Sequence, residues 1–237
     1  MMSVTTTNRQ RLLATVFTGL KKQIDADEPP ARPVLEQLIY ALLREGATRK
    51  QADRAFHILQ KEYFDWNEVR VSSAHEVAVS LDGLPQAVSK AQRVIDLLQE
   101  VFESTFSYDL DSLQKKPLKQ AAKQLERFQA TNDFTVSWAV QTSLGGHAIP
   151  LDTPTLRTIR RLGLVEEGTR DPDSIRASLE HQVPKARGPI FFEILSQVAH
   201  DYCHEENPKC SACPLKADCP TGTARLAEKG RARPKSR

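Results

Sequence analysis

The chain has 237 residues, 40% hydrophobic and 27% charged, enough to bury one large core or two modest ones and so to exclude a wholly disordered polymer. No run approaches the ~18 consecutive apolar residues of a membrane span, and the opening Met1-Met2-Ser3-Val4-Thr5-Thr6-Thr7 lacks a secretory apolar stretch, so the protein is expected to be soluble, intracellular and cytoplasmic. The formal net charge of only +3 excludes a strong global field for polyanions.

Apolar residues recur at helical spacing almost throughout. The first run is Leu12, Leu13, Val16, Phe17, Leu20 and Ile24, followed by the polar, proline-rich link Asp25-Ala26-Asp27-Glu28-Pro29-Pro30. Val34, Leu35, Leu38, Ile39, Leu42 and Leu43 predict the next helix, and Ala52, Ala55, Phe56 and Leu59 another. Ser89 is a start signal for a helix carrying Val94, Ile95, Leu98, Val101 and Phe102. Leu118, Ala121, Ala122, Leu125 and Phe128 follow, then Val136, Ala139, Val140 and Leu144, up to a break at Gly145-Gly146-His147-Ala148-Ile149-Pro150. Asp152-Thr153-Pro154 and Asp171-Pro172 open further helices, the second leading into Ile175 and Leu179, and Ile190, Phe191, Ile194, Leu195 and Val198 complete the series. With no alternating strand pair and no internal repeat, the fold class is all-α. From Thr221 to Arg237 the chain is small and basic, six cations against Glu228, and is predicted to be a disordered tail. The tail carries +5 and leaves −2 for the body, so a nucleic-acid surface must come from local asymmetry plus the tail.

All four cysteines fall in one short segment, Cys203, Cys210, Cys213 and Cys219, spaced C-x6-C-x2-C-x5-C. Two local disulfides are disfavoured in a reducing compartment, which leaves metal. Thiolates suit zinc and iron–sulfur equally well by softness. Zinc knuckles usually pair two short C-x2-4-C units, whereas this loop has one such unit and two longer arms, a better match to the separated corners of a [4Fe–4S] cubane.

The 6-2-5 spacing at the end of a helix-rich chain, preceded by Ala199-His200-Asp201-Tyr202, resembles the cluster loop of the endonuclease III-like superfamily of helix-hairpin-helix (HhH-GPD) DNA glycosylases. Upstream, Leu151-Asp152-Thr153-Pro154-Thr155-Leu156-Arg157 is similar to that family's Val-Asp-Thr-His stretch, whose Asp is catalytic and begins a helix. Fainter echoes are Leu42-Leu43 with Ala47-Thr48, and Ser89-Lys90-Ala91. The resemblance implies a six-helix domain with the hairpin over 27–146, a cluster domain from 1–26 and 147–220, the basic tail 221–237, and a DNA-binding cleft between the domains. It implies a monomer that binds damaged double-stranded DNA and flips out a base to cut its glycosidic bond. The four cysteines would hold a [4Fe–4S] cluster and Asp152 would be catalytic, stabilising the cationic sugar or orienting water; from the residues alone Asp152 also reads as a helix cap.

Departures from the family pattern shape this reading. Gln129-Ala130-Thr131-Asn132-Asp133-Phe134-Thr135 falls on the family's hairpin, Pro-Gly-Val-Gly-Arg-Lys-Thr, without its glycines, which let backbone amides approach a phosphate. The catalytic lysine falls on Phe134, which cannot be a nucleophile. Gly46 stands at the place of a gap-filling glutamine and Pro154 at that of a histidine. The expected activity is therefore a monofunctional glycosylase without lyase activity. The alternatives are an inactive iron–sulfur DNA-binding or partner-binding homologue, and, least favoured by spacing, an electron carrier.

Thr131, Asn132, Phe134 and Lys209 are candidate DNA contacts, Phe134 by stacking, though core packing is its default, as it is for Trp138. Lys115, Lys119, Lys123 and Arg127 recur every four residues, and Arg157, Arg160 and Arg161 cluster after Asp152; a solvated face is the ordinary reading of both, phosphate contact the alternative. The six histidines form no recognisable ligand pair.

Overall fold

The structure is a computed structural model that describes residues 6–20, 27–166 and 168–231, and among them every regular element is helical. The protein is all-α. No helix among the described residues is long and apolar enough to cross a membrane. The chain forms two compact units, Pro29–Pro150, and Met1–Glu28 with Leu151–Arg237.

The Pro29–Pro150 unit is built around α2 (Val34–Arg44), where all but Glu36 are buried. A helix apolar on every side must be surrounded. It packs against α3 (Arg49–Glu62), α6 (Ala87–Thr105) and α8 (Asp133–Thr142), while α4 (Trp66–Val71) and α5 (Ala74–Ser80) lean on α6 and α7 (Leu118–Leu125) on α8. Two buried aromatic side chains have their polar groups answered: Trp138, fully buried, donates from Nε1 to Gln37 Oε1 at 2.9 Å, and Tyr40 donates to Asp53 at 2.7 Å. Tyr40 also packs on Trp138, ring centres 5.5 Å apart. Each such large side chain contributes about 1.5–3 kcal/mol by burial.

The carbonyl end of α2 lacks partners of its own, and Lys90 supplies them. Its buried ammonium donates to the carbonyls of Leu42 (2.6 Å), Leu43 (3.1 Å) and Glu45 (2.6 Å), a cation at the negative end of a helix. The next turn passes through Gly46 at φ +70°, where a side chain is disfavoured by the backbone, although no heavy atom lies within 4 Å of an added Cβ.

The second unit contains α1 (Thr6–Thr15), a π-helical turn (Val16–Leu20), α9 (Thr153–Leu162), α10 (Pro172–Gln182), α11 (Gly188–Asp201) and α12 (Pro220–Arg231). α11 is the central element, with Ile190, Phe191, Phe192, Ile194, Leu195 and Val198 buried. It packs on α9 and on the π-helical turn, where Phe17 meets Phe191 at 5.8 Å between ring centres.

Two sequence expectations change. The boundary drawn at 146 moves to Pro150, because Gln141 Nε2 donates to Ala148 O at 2.6 Å and Gly146 N to Val140 O at 2.8 Å, tying that segment to α8. The tail predicted to be disordered is helical as far as Arg231, and only 232–237 lie outside the described residues. Composition misses α12 because its support is Cys219, which accepts from Thr223 N through its carbonyl (2.9 Å) and from Gly222 N through Sγ (3.2 Å).

Candidate functional site

The cysteine loop grows out of the end of α11. Tyr202 N and Cys203 N both donate to Val198 O, and the chain then turns repeatedly: Lys209 N to Tyr202 O (2.8 Å), Cys213 N to Lys209 O (3.0 Å), Lys216 N to Cys213 O (3.2 Å). Leu215, fully buried, anchors the turns. All four cysteines are free and half-buried, so the disulfide alternative does not hold. They line one recess, with Arg161, Leu162, Val198 and Pro208 among its walls. An added Cβ on Gly222 would stand 3.3 Å from Cys219 Cβ and 3.4 Å from its sulfur, so glycine lets the start of α12 close over that cysteine.

Among the described residues no three His, Cys, Asp or Glu side chains are grouped to hold a metal ion. Burial pushes the Cys213 and Cys219 thiols up, and the neighbouring cysteines raise both further; the Leu215 amide beside Cys213 and the Gly222 amide beside Cys219 pull the other way. Ionising all four together would need a cationic centre beside them.

Sequence reading left unassigned the residues that hold this loop. Arg157 Nε donates to Cys203 O at 2.9 Å. Arg161 donates from Nη1 to His204 O (2.5 Å), Cys203 O (3.5 Å) and Cys203 Sγ (3.5 Å), and from Nη2 to Glu205 O (3.0 Å). Arg160 donates to Arg170 O at 3.1 Å. These arginines clasp backbone carbonyls, a use neither the solvated-face nor the phosphate reading names; their i, i+4 spacing on the helix after Asp152 was the available signal.

Asp152 is the N-cap of α9, in extended conformation and 4% exposed. Its Oδ1 accepts from Thr155 N (2.9 Å) and Thr155 Oγ1 (2.6 Å), and Thr155 Oγ1 accepts in turn from Asp152 N (3.0 Å), a complete capping box. Pro154 occupies the second helical position, the first being Thr153.

The predicted hairpin contacts are largely committed inside their own unit. Thr131 Oγ1 donates to Leu125 O (2.9 Å) and Phe128 O (2.8 Å). Asn132 caps α8, accepting from Thr135 N at 3.0 Å, and donates from Nδ2 to Glu45 Oε1 at 2.8 Å. Phe134 is 2% exposed and lies 6.1 Å from Trp138 between ring centres; it is a core side chain, which corrects its expected contact with a base. Lys209 remains exposed on the cysteine loop. The basic series does not share a helix: Lys115 ends a 3-10 turn (Asp111–Lys115), Lys119 and Lys123 lie on α7, and Arg127 follows it.

No family model matches the chain. The chain is 26% identical over 240 residues to the DNA glycosylase/AP lyase ROS1 of Arabidopsis thaliana, covering 84% of this chain and 17% of that protein. It is 23% identical to DEMETER-like protein 3 of the same plant, covering 75% of this chain and 18% of that one. The chain thus spans under a fifth of the length of these two relatives. A structure of endonuclease III trapped in a covalent intermediate with DNA superposes with a TM-score of 0.70 at 20% identity, over 92% of this chain and 98% of that one. A thermostable thymine-DNA glycosylase does so at 0.66 and 17%, over 92% and 99%. The chain thus has the fold of endonuclease III and is similar in sequence to plant DNA glycosylases.

Proposed function

We propose that this chain is a base-excision DNA glycosylase that cuts the N-glycosidic bond without cleaving the strand, and that Cys203, Cys210, Cys213 and Cys219 hold a [4Fe–4S] cluster. The observation that carries it is the pairing, on the endonuclease III fold, of Asp152 at the start of α9 with four free thiols round one recess. The 6-2-5 spacing of cysteines round one recess suits a cubane, which offers one iron to each cysteine, better than a single zinc. When bound, such a cluster would cross-link the loop between α11 and α12 through its four cysteines.

Glycosidic cleavage develops positive charge on the sugar as the base departs, and the base must leave the stack for its bond to be reached. Asp152 answers the first need: fixed by Thr155, its carboxylate presents an oriented negative charge that stabilises the cation or aligns a water. The lyase step needs an amine, which Phe134 lacks; the AP lyase activity in the name of ROS1 is not carried over. Lys90 is no substitute, since its ammonium is spent on the α2 carbonyls. The partner is double-stranded DNA carrying a damaged or unwanted base, met by a monomer.

A second reading, a DNA-binding or partner-binding homologue without catalysis, is favoured by the internally bonded hairpin. One experiment separates them: the holo-protein is incubated with a panel of damaged duplexes, scored separately for base release and strand cleavage. Release without cleavage supports the first reading, and neither on any duplex supports the second.

A further inference from the structure

The turn between α7 and α8 carries an anion of its own. Glu100, in the C-terminal half of α6, accepts from Gln129 N through Oε1 (3.0 Å) and from Ala130 N through Oε2 (3.3 Å). One carboxylate spans two successive amides, the arrangement by which a backbone nest holds an anion. The same helix grips the acceptor side of the turn. Arg93, two helical turns before Glu100 and so on the same face, donates from Nε (3.2 Å) and Nη2 (3.1 Å) to Ala130 O. Arg93 also pairs with Glu45 at 2.7 Å, and Glu45 accepts from Asn132 at 2.8 Å.

We infer that Glu100 is a tethered anion that fills the amide pair of this turn, so that a phosphate can bind there only by displacing it. A phosphodiester oxygen and a carboxylate oxygen make the same kind of hydrogen bond to a backbone amide. The resident group is held at high effective concentration by α6, whereas a competing phosphate must come from solution. Placing Glu100 against the turn also sets a negative charge where an incoming strand would bring another. The turn in the wild-type protein is therefore closed to phosphate, and removing the carboxylate opens a latent anion site. The identification of DNA as the physiological ligand rests on the proposed function; the closure of the site does not.

The test follows the amide resonances of Gln129 and Ala130 in the full chain during titration with inorganic phosphate. In the wild type they should stay in place; in Glu100→Ala they should move and saturate. On short duplex DNA, Glu100→Ala should bind severalfold more tightly than wild type, its log–log salt slope steeper by about 0.9 for one further phosphate. Glu100→Gln, which keeps an oxygen against the turn, should gain less. Glu103→Gln, an equal change of charge at an exposed position on the same helix, should leave the slope unchanged. Wild-type amides that shift with phosphate as readily as those of the variant overturn the inference, even if Glu100→Ala proves unstable. Equal gains from all three substitutions overturn it too, by reducing the effect to net charge. Failure of both proteins to bind any duplex would instead count against the proposed function, with the phosphate titration still deciding this one.

Discussion

Asp152 and Thr155 hold each other through three hydrogen bonds, the carboxylate accepting from the Thr155 amide and hydroxyl while that hydroxyl accepts from the Asp152 amide. Capping and catalysis can therefore be separated by substitution. Asparagine caps as well as aspartate but carries no charge. Asp152→Asn should keep the melting temperature nearly unchanged and lower base release by about 10²–10³, the usual cost of removing a charge aimed at a developing ion. Asp152→Ala should in addition lose about 1 kcal/mol of stability. Base release that survives Asp152→Asn would leave the residue as a cap alone.

Phe134 cannot form a covalent bond to an abasic sugar, so borohydride should trap no adduct between the wild-type protein and abasic DNA. Restoring the lysine is not expected to restore lyase chemistry, because the position lies in the core against Trp138, where a bare ammonium is strongly disfavoured. Phe134→Ala should cost about 3–5 kcal/mol in denaturant unfolding, as large-to-small changes in packed cores do. Efficient trapping by the wild type would refute the non-lyase reading.

The helices around these residues are legible in the sequence because both of their signals are local. Apolar spacing marks α2, α8 and α11, and Asp152-Thr153-Pro154 marks the start of α9. The cysteine spacing likewise singles out the four thiols that share one recess. What stays hidden is long-range or backbone-mediated. Lys90 lies 47 and 48 residues from two of the carbonyls it caps. Arg161 lies 43 residues from the His204 carbonyl it clasps. Glu100 reaches amides 29 and 30 residues away. None of these partners is a side chain, so no pairing of residue types announces them. α12 is missed for a related reason, its start being held by a sulfur and a carbonyl.

Purified anaerobically, the protein should be brown and contain iron, and replacing any one of Cys203, Cys210, Cys213 or Cys219 by serine should abolish the broad visible absorption. Metal analysis checks this directly: stoichiometric zinc without iron would replace the cluster by a zinc site. Loss of the metal should also destabilise α12, since Gly222 and Thr223 both bond to Cys219.

Two helix caps give stability a defined acid limb. Asp171, which caps α10, is held below the usual carboxylate range by the Ser174 hydroxyl and amide. Glu76, in the α5 capping box, is lowered by the Ser73 amide and hydroxyl. A carboxylate depressed in the folded state stabilises above its unfolded pKa, and that contribution disappears as pH falls through the folded value. Asp171→Asn and Glu76→Gln keep hydrogen-bonding groups but cannot titrate. Chemical unfolding should find the wild type ahead of the double variant at pH 6 and the gap closing below about pH 4. A gap independent of pH would show that the caps act without their charge.

The chain beyond Arg231 offers the cleanest test of where DNA affinity comes from. A deletion from Thr221 would remove α12 along with its charges and disturb the cysteine loop, because the Cys219 sulfur and carbonyl bond to Gly222 and Thr223. Ending the chain after Arg231 removes only Arg233, Lys235 and Arg237 among charged residues and leaves those bonds in place. Each cation that meets a phosphate releases a counterion and steepens the log–log salt dependence by about 0.9, so the truncated protein should bind more weakly at low salt with a flatter slope. The body up to residue 220 is formally −2, which makes even this small cationic segment a large share of the attraction. Fluorescence anisotropy on one duplex at several salt concentrations gives both numbers. An unchanged slope, with visible absorption and melting temperature also unchanged, would assign the phosphate contacts to residues before 232, with exposed Lys209 the first of them to replace by alanine.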